Sequence, residues 1–149
     1  MPRNIYDEAT KSAILHAAIA ARAEGLKLAE VFKAATAAGY QDFVPDACLI
    51  NRYEAGSRLT PHQDRNERDF SWPIVSISLG LPAVFQFGGM KRTDPMARYA
   101  LRHGDVVVWG GRSRLAYHGV APLKDGEHPR LGRTRINLTL RKALGPRAK

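Results

Sequence analysis

The chain has 149 residues and a single cysteine, Cys48. One thiol forms no internal disulfide, and with apolar neighbours Cys48 reads as a buried strand residue. No apolar run reaches the ~18 residues a membrane-spanning helix needs, and the N-terminus shows no signal-peptide pattern. Internal repeats are missing, as are low-complexity tracts beyond alanine-rich helical stretches. These absences exclude a disulfide scaffold, a solenoid and a helical membrane protein, and the expectation is a reduced, cytoplasmic protein with no membrane partner. Positive charge is what the chain has in excess: 23 Lys and Arg against 14 Asp and Glu, a formal net charge of +9. Such a surplus attracts phosphate backbones, although it also serves solubility.

The length is enough for one domain with a real core. Residues 1–46 read as helical. Asp7 to Ala23 carries Ile14, Leu15, Ala18 and Ile19 at helical spacing, with Gly25 beyond as a stop. A second helix is predicted over Leu28 to Ala38, burying Val31, Phe32 and Ala35, with Gly39 as its C-terminal cap. From Ala47 the period changes. Val75, Ile77 and Leu79 alternate with Ser76 and Ser78, and Ala83 to Phe87 forms a strand ended by Gly88-Gly89. Tyr99 to Arg102 and Asp105 to Trp109 read as a hairpin around His103-Gly104, and Leu115 to His118 as a further strand. Pro122 to Gly132 is a long loop. The fold class is therefore mainly β with N-terminal helices (α+β), a sandwich or barrel of short strands, closed by a basic tail over residues 142–149.

The chemistry is concentrated in few residues. His62-Gln63-Asp64 places an imidazole and a carboxylate two apart, on one side of an extended backbone. His118 supplies a third ligand from far along the chain. Two imidazoles and a carboxylate on one face of a metal leave the other face open, which suits non-heme Fe(II) with a co-substrate. Zinc hydrolases use the same donors, so the triad alone leaves the metal open. In Arg135 to Arg141, Arg135, Asn137, Thr139 and Arg141 share one face at period two, while Ile136, Leu138 and Leu140 share the other. Two guanidiniums on one face match a dicarboxylate; a solvent-facing sheet surface is the alternative. Asn51 and Tyr53, also two apart, offer an amide and a phenol to the same acid. His16, His103 and His128 have no partner at ligand spacing and read as structural or exposed.

Taken together, N-R-Y-x-x-G (Asn51 to Gly56), H-x-D (His62 to Asp64), P-I-V-S-I-S-L-G (Pro73 to Gly80), G-D-V-V-V-W-G-G (Gly104 to Gly111), Y-H-G (Tyr117 to Gly119) and R-x-N-x-T-x-R (Arg135 to Arg141) resemble the catalytic core of the AlkB family of Fe(II)/2-oxoglutarate-dependent dioxygenases. The resemblance runs from Cys48 to Arg141 and sets a dioxygenase core at residues 47–141. It implies a double-stranded β-helix, or jelly-roll, core. It implies that His62, Asp64 and His118 bind Fe(II), and that Asn51, Tyr53, Arg135, Asn137, Thr139 and Arg141 hold 2-oxoglutarate, with Arg135 the preferred partner of the distal carboxylate. Asn66, Arg92 and Trp109 would line the substrate pocket. The implied reaction is oxidative demethylation of N-alkylated bases in DNA or RNA, releasing formaldehyde, succinate and CO2. The substrate would be a single strand or a flipped base, met by a monomer.

Two departures from the family pattern bear on substrate choice. AlkB-type repair enzymes carry a nucleotide-gripping lid before the core, whereas here the residues before Cys48 read as helices, so the lid is expected to be missing or replaced. Asn66 stands where an acidic residue is usual; Glu67, its neighbour, would face the opposite way on a strand and would not substitute. Competing readings keep the iron chemistry on a protein or small molecule, or take the chain as a non-catalytic basic nucleic-acid-binding module. The first is favoured by the absent lid and opposed by the charge. The second is disfavoured because every ligand is present.

Overall fold

The computed structural model describes residues 28–143. The helix expected over Asp7 to Ala23, with His16 in it, and the end of the basic tail lie outside those residues. Helix α1 (Leu28–Ala37) is the second predicted helix. It stops where Gly39 adopts φ 93°, a left-handed conformation that costs glycine nothing. There Gly39 N–H donates to Thr36 O and Tyr40 N–H to Ala35 O, which satisfies two of the carbonyls a helix end orphans. Ala35 is fully buried and Phe32 half-buried.

Eight strands follow: β1 (Ala47–Tyr53), β2 (Leu59–His62), β3 (Ile74–Gly80), β4 (Ala83–Phe87), β5 (Ala97–Leu101), β6 (Val106–Trp109), β7 (His118–Val120) and β8 (Arg135–Arg141). Among the described residues they form two antiparallel four-stranded sheets, ordered β1-β8-β3-β6 and β2-β7-β4-β5. The chain changes sheet at every connection except β4 to β5. The architecture is mainly β and of jelly-roll type.

Period two sorts the first sheet into an apolar and a polar side. Val75, Ile77 and Leu79 of β3 and Ile136 of β8 form one core with Ala35 and Phe43, and Leu138, Leu140, Ile50 and Val108 pack against it. Truncating Leu79, which is fully buried, to alanine would cost about 2–5 kcal/mol. The other side carries Arg135, Asn137 and Thr139, which are buried as well. Register lines them up across three strands. Asn137 stands between Asn51 and Ser78, Thr139 between Leu49 and Ser76, and Arg135 between Tyr53 and Gly80. The solvent-facing alternative for this side is thus excluded, because the second sheet covers it.

Three local expectations need correction. Residues 99–109 are not a hairpin: β5 pairs with β4, and β6 pairs with β3 in the other sheet. The turn at His103-Gly104 is a corner between sheets. Arg102 N–H donates to Asp105 Oδ2 at 2.7 Å, and Gly104 N–H and Asp105 O continue the bonding to Ser78 of β3. Leu115 to Tyr117 precede β7 rather than forming it. Cys48 is exposed rather than buried, because β1 is an edge strand of its sheet. The region from Pro122 to Gly132 is a loop, as expected, with one isolated bridge between His128 and Gly132.

Candidate metal centre

The antiparallel pairing of β2 with β7 sets His62 directly opposite His118, with ring centroids 4.5 Å apart. Asp64 lies just past the end of β2, so the H-x-D triplet spans a strand terminus instead of lying in a strand. Asp64 nonetheless reaches both rings: Oδ1 is 3.6 Å from His62 Nε2 and Oδ2 is 3.3 Å from His118 Nε2. One ligand atom from each of the three lies within 4.8 Å of the others. His62 Nδ1 is 3.0 Å from Thr60 O and His118 Nδ1 is 3.0 Å from Ala116 O. A carbonyl can only accept, so each Nδ1 carries a proton; Nε2 faces Asp64, donates to it when protonated, and turns a lone pair to a metal once that proton is lost. Burial by itself would raise the Asp64 carboxyl, but hydrogen bonds from His118 and His62 and the charge of Arg141 overcome it and hold it well below the usual carboxylate range. The hydrogen bond to Asp64 raises His62 above its ordinary value. An ionised carboxylate between two imidazoles is a cation site. Asp64 and His118 are buried while the His62 side chain is 35% exposed, which leaves the solvent side at His62.

The same cavity is lined by Asn51, Tyr53, Arg135, Asn137, Thr139 and Arg141 and by Trp109. Their hydrogen bonding divides them. Asn137 Nδ2 donates to Ser76 Oγ at 2.6 Å and to Ile77 O at 3.1 Å, and Thr139 Oγ1 donates to Asn137 Oδ1 at 2.7 Å. This pair is engaged within the sheet. Arg135 is not. The residue is 1% exposed; its guanidinium sits 5.0 Å over the Tyr53 ring and spends one nitrogen on Ser78 Oγ at 3.0 Å. Nε and Nη1 find no hydrogen-bond partner. Burial lowers the Arg135 value from that of a free guanidinium, against the opposing pull of Tyr53, yet the group stays charged. A buried cation with two unmatched donors fits an incoming carboxylate. Arg141 Nε is likewise buried without a partner.

The three residues expected around the substrate are placed less uniformly. Trp109 is buried, packed with Ile74, Phe85 and Leu101. Its ring centroid is 4.9 Å from that of His118, and its Nε1 has no partner, so it is both a core residue and a wall of the cavity. Arg92 is exposed, donates to Pro61 O at 3.0 Å and lies 5.2 Å over the Tyr117 ring. Asn66 is exposed on the loop after Asp64 and is not among the residues lining the cavity.

Two further residues meet the site: Glu67, which strand alternation sets aside, and Arg114. Glu67 is 5% exposed, on a loop without strand structure, so strand alternation does not govern it. Its Oε1 accepts from Arg141 Nη1 at 2.7 Å and its Oε2 is 3.3 Å from Arg114 Nη2. Arg114 donates from Nη1 to Asp64 O and from Nε to Trp72 O, each at 3.0 Å. Spacing carried no signal for either, because their partners lie on distant segments.

A jelly-roll-type sandwich that closes two histidines and an aspartate beside an unmatched buried arginine defines a class, and comparison with known families agrees. The chain belongs to the 2OG-Fe(II) oxygenase superfamily, whose family model matches residues 6–141. Within it the AlkB resemblance drawn from the motifs holds, and the superfamily match starts well upstream of Cys48. The chain is 66% identical over 111 residues to the alpha-ketoglutarate-dependent dioxygenase AlkB of Escherichia coli strain K12, covering 74% of this chain and 51% of that protein. It is 42% identical over 96 residues to the mouse nucleic acid dioxygenase ALKBH1, covering 62% of this chain and 25% of that protein. The solved structure of OsALKBH1 superposes with a TM-score of 0.66 at 32% identity, over 75% of this chain and 62% of that one. The chain thus spans about half the length of the E. coli relative. No helix among the described residues is long and apolar enough to cross a membrane.

Proposed function

We propose that this chain is the core of an Fe(II)/2-oxoglutarate-dependent dioxygenase that removes N-alkyl groups from bases of DNA or RNA. The observation that carries the reading is one cavity holding both a His62-Asp64-His118 ligand set and a buried arginine with unmatched donors. The histidine and carboxylate donors fit Fe(II), and the arginines fit a dicarboxylate co-substrate. The change of sheet at nearly every connection is that of a double-stranded β-helix. Relatives whose names specify alpha-ketoglutarate and nucleic acid support the substrate class.

In this reading His62 Nε2, His118 Nε2 and the Asp64 carboxylate hold the metal. Arg135, with Tyr53 beside it, takes the distal carboxylate of 2-oxoglutarate, and Arg141 with Asn51 faces the near one. Asn137 and Thr139 keep the floor of the cavity rigid through their mutual hydrogen bond. Bound Fe(II) and 2-oxoglutarate supply the two-electron oxidation of a C–H bond by O2, with succinate and CO2 as co-products. The oxidised N-methyl group becomes N–CH2OH, which breaks its C–N bond to release formaldehyde and restore the base. Trp109 forms the apolar wall next to His118, while Arg92 and Asn66 lie on exposed loops where a nucleotide approaches. A methylated base within a duplex is out of reach, so a single strand is the favoured substrate, bound by a monomer whose +9 charge attracts its phosphates.

The test is the mass of a single-stranded oligonucleotide carrying 1-methyladenine or 3-methylcytosine after incubation with the protein, Fe(II), 2-oxoglutarate and air. Loss of one methyl group that requires 2-oxoglutarate is the expected result. An unchanged oligonucleotide, with protein that binds iron and 2-oxoglutarate, would overturn the substrate and leave a protein or small molecule in its place.

A further inference from the structure

Glu67 is a carboxylate buried to 5% exposure with a cationic guanidinium on either side. Burying four charges (Asp64, Glu67, Arg114 and Arg141) costs desolvation that apolar residues of the same volume would avoid, so stability is a poor reason for the arrangement. Geometry offers a better one. Arg141 Nη1 has two anions within reach: Glu67 Oε1 at 2.7 Å and Asp64 Oδ1 at 3.5 Å. The shorter contact is the stronger, and it holds the guanidinium off the carboxylate that the metal needs. It also occupies Nη1 while Nε stays without a partner. Glu67 is itself fixed from the other side by Arg114, whose remaining nitrogens are tied to the backbone oxygens of Asp64 and Trp72. The chain of contacts therefore runs from the metal-ligand loop through Arg114 and Glu67 to the end of β8.

We propose that Glu67 is a positioning residue that sets the orientation of Arg141. It keeps Asp64 free for the metal and leaves the rest of the Arg141 guanidinium for the near carboxylate of the co-substrate. This rests on the function proposed above. Removing the Glu67 charge leaves Asp64 as the nearest anion to Arg141, so the guanidinium closes onto it and both ligands suffer: the metal loses part of a donor and 2-oxoglutarate loses part of its cation.

The experiment uses Glu67→Gln, which preserves volume but removes the charge and one acceptor oxygen, with Glu67→Asp as a second variant that keeps the charge. Fe(II) and then 2-oxoglutarate are titrated anaerobically into the full chain, read by quenching of tryptophan fluorescence. Glu67→Gln is expected to weaken 2-oxoglutarate binding about tenfold, the scale of one misplaced charge-assisted hydrogen bond, and to weaken Fe(II) binding in parallel. Glu67→Asp recovers part of the loss. In an Arg141→Ala background the same Glu67→Gln change adds little further loss, because the residue through which Glu67 acts is gone. A merely structural role would instead give equal losses in both backgrounds, and that result would overturn the inference, as would affinities within about twofold of the parent. A parent chain that binds neither Fe(II) nor 2-oxoglutarate would overturn the proposed function and this inference with it.

Discussion

Replacing Arg135 by methionine separates co-substrate binding from folding. In the folded protein Arg135 donates to Ser78 Oγ at 3.0 Å and lies 5.0 Å over Tyr53, whose side chain also interacts with it. Against these stand a buried positive charge and two donors with no partner. The hydrogen bond is worth about 1 kcal/mol and the ring contact about 1–2 kcal/mol. Each unmatched buried donor costs about 1–3 kcal/mol. Methionine removes both sides of this balance and fills the space with an adaptable apolar chain. The unliganded variant is therefore expected to be at least as stable as the parent, although a buried arginine has been lost. Co-substrate binding moves the other way. Charge-assisted contacts from the free donors to the carboxylate are together worth about 3 kcal/mol or more, so affinity for 2-oxoglutarate falls by at least two orders of magnitude. Thermal unfolding with and without ligand reads both effects. At 2-oxoglutarate about a hundredfold above its Kd, the parent gains about 2.7 kcal/mol, or several degrees in Tm, and the variant gains almost nothing. A variant more than about 1 kcal/mol less stable without ligand would refute the claim that the Arg135 donors stand unmatched for a ligand. A variant still stabilised by 2-oxoglutarate would refute the assignment of the ligand.

Further predictions concern the metal and the sheet contacts around it. His118→Ala is expected to abolish turnover and Fe(II) binding while leaving single-stranded DNA affinity nearly unchanged in a filter-binding assay; parallel loss of DNA affinity would mean that this face is shaped by the metal site. Gly119 lies within β7, where an added Cβ would come 2.5 Å from Leu59 O of β2. Gly119→Ala should therefore lower stability by about 1–3 kcal/mol and weaken metal binding by forcing β2 away from β7, both measurable by thermal melts with and without Fe(II). Burial raises the Tyr53 phenol above its ordinary value despite the opposing charge of Arg135, so it stays protonated as pH rises past the range where exposed tyrosines ionise. An alkaline ultraviolet titration should show a late-ionising component that is lost in Tyr53→Phe.

Where the sequence could be read correctly, the information was local. The two faces of β8 follow from alternation over seven residues, and the cap of α1 from one glycine after an amphipathic run. His62 and Asp64 do converge as expected of residues two apart, although the strand ends at His62 and the Asp64 backbone is held by Arg114 instead of by strand pairing. The misreadings have the opposite origin. Tyr99 to Trp109 looks like a hairpin because a turn between two apolar runs has the same composition whether the runs pair with each other or with remote partners. β5 and β6 pair with β4 and β3. Cys48 has apolar neighbours, yet it lies on an edge strand and is exposed.

The sequence by itself supplied the candidate donors: two imidazoles, one carboxylate and the two arginines of Arg135 to Arg141 can be counted without coordinates, and its ordered motifs resemble those of one family. Tertiary structure alone decided which of those groups are free to bind. Asn137 and Thr139 satisfy each other, whereas Arg135 is left with unmatched donors, and that difference depends on Ser76, Ser78 and Ile77 of a neighbouring strand. Glu67 owes its burial and its contacts to Arg114 and Arg141. The physical reason is the range of the interactions. Periodicity and capping act within a few residues, while desolvation and charge pairing depend on what the fold brings within a few ångströms, however far apart along the chain.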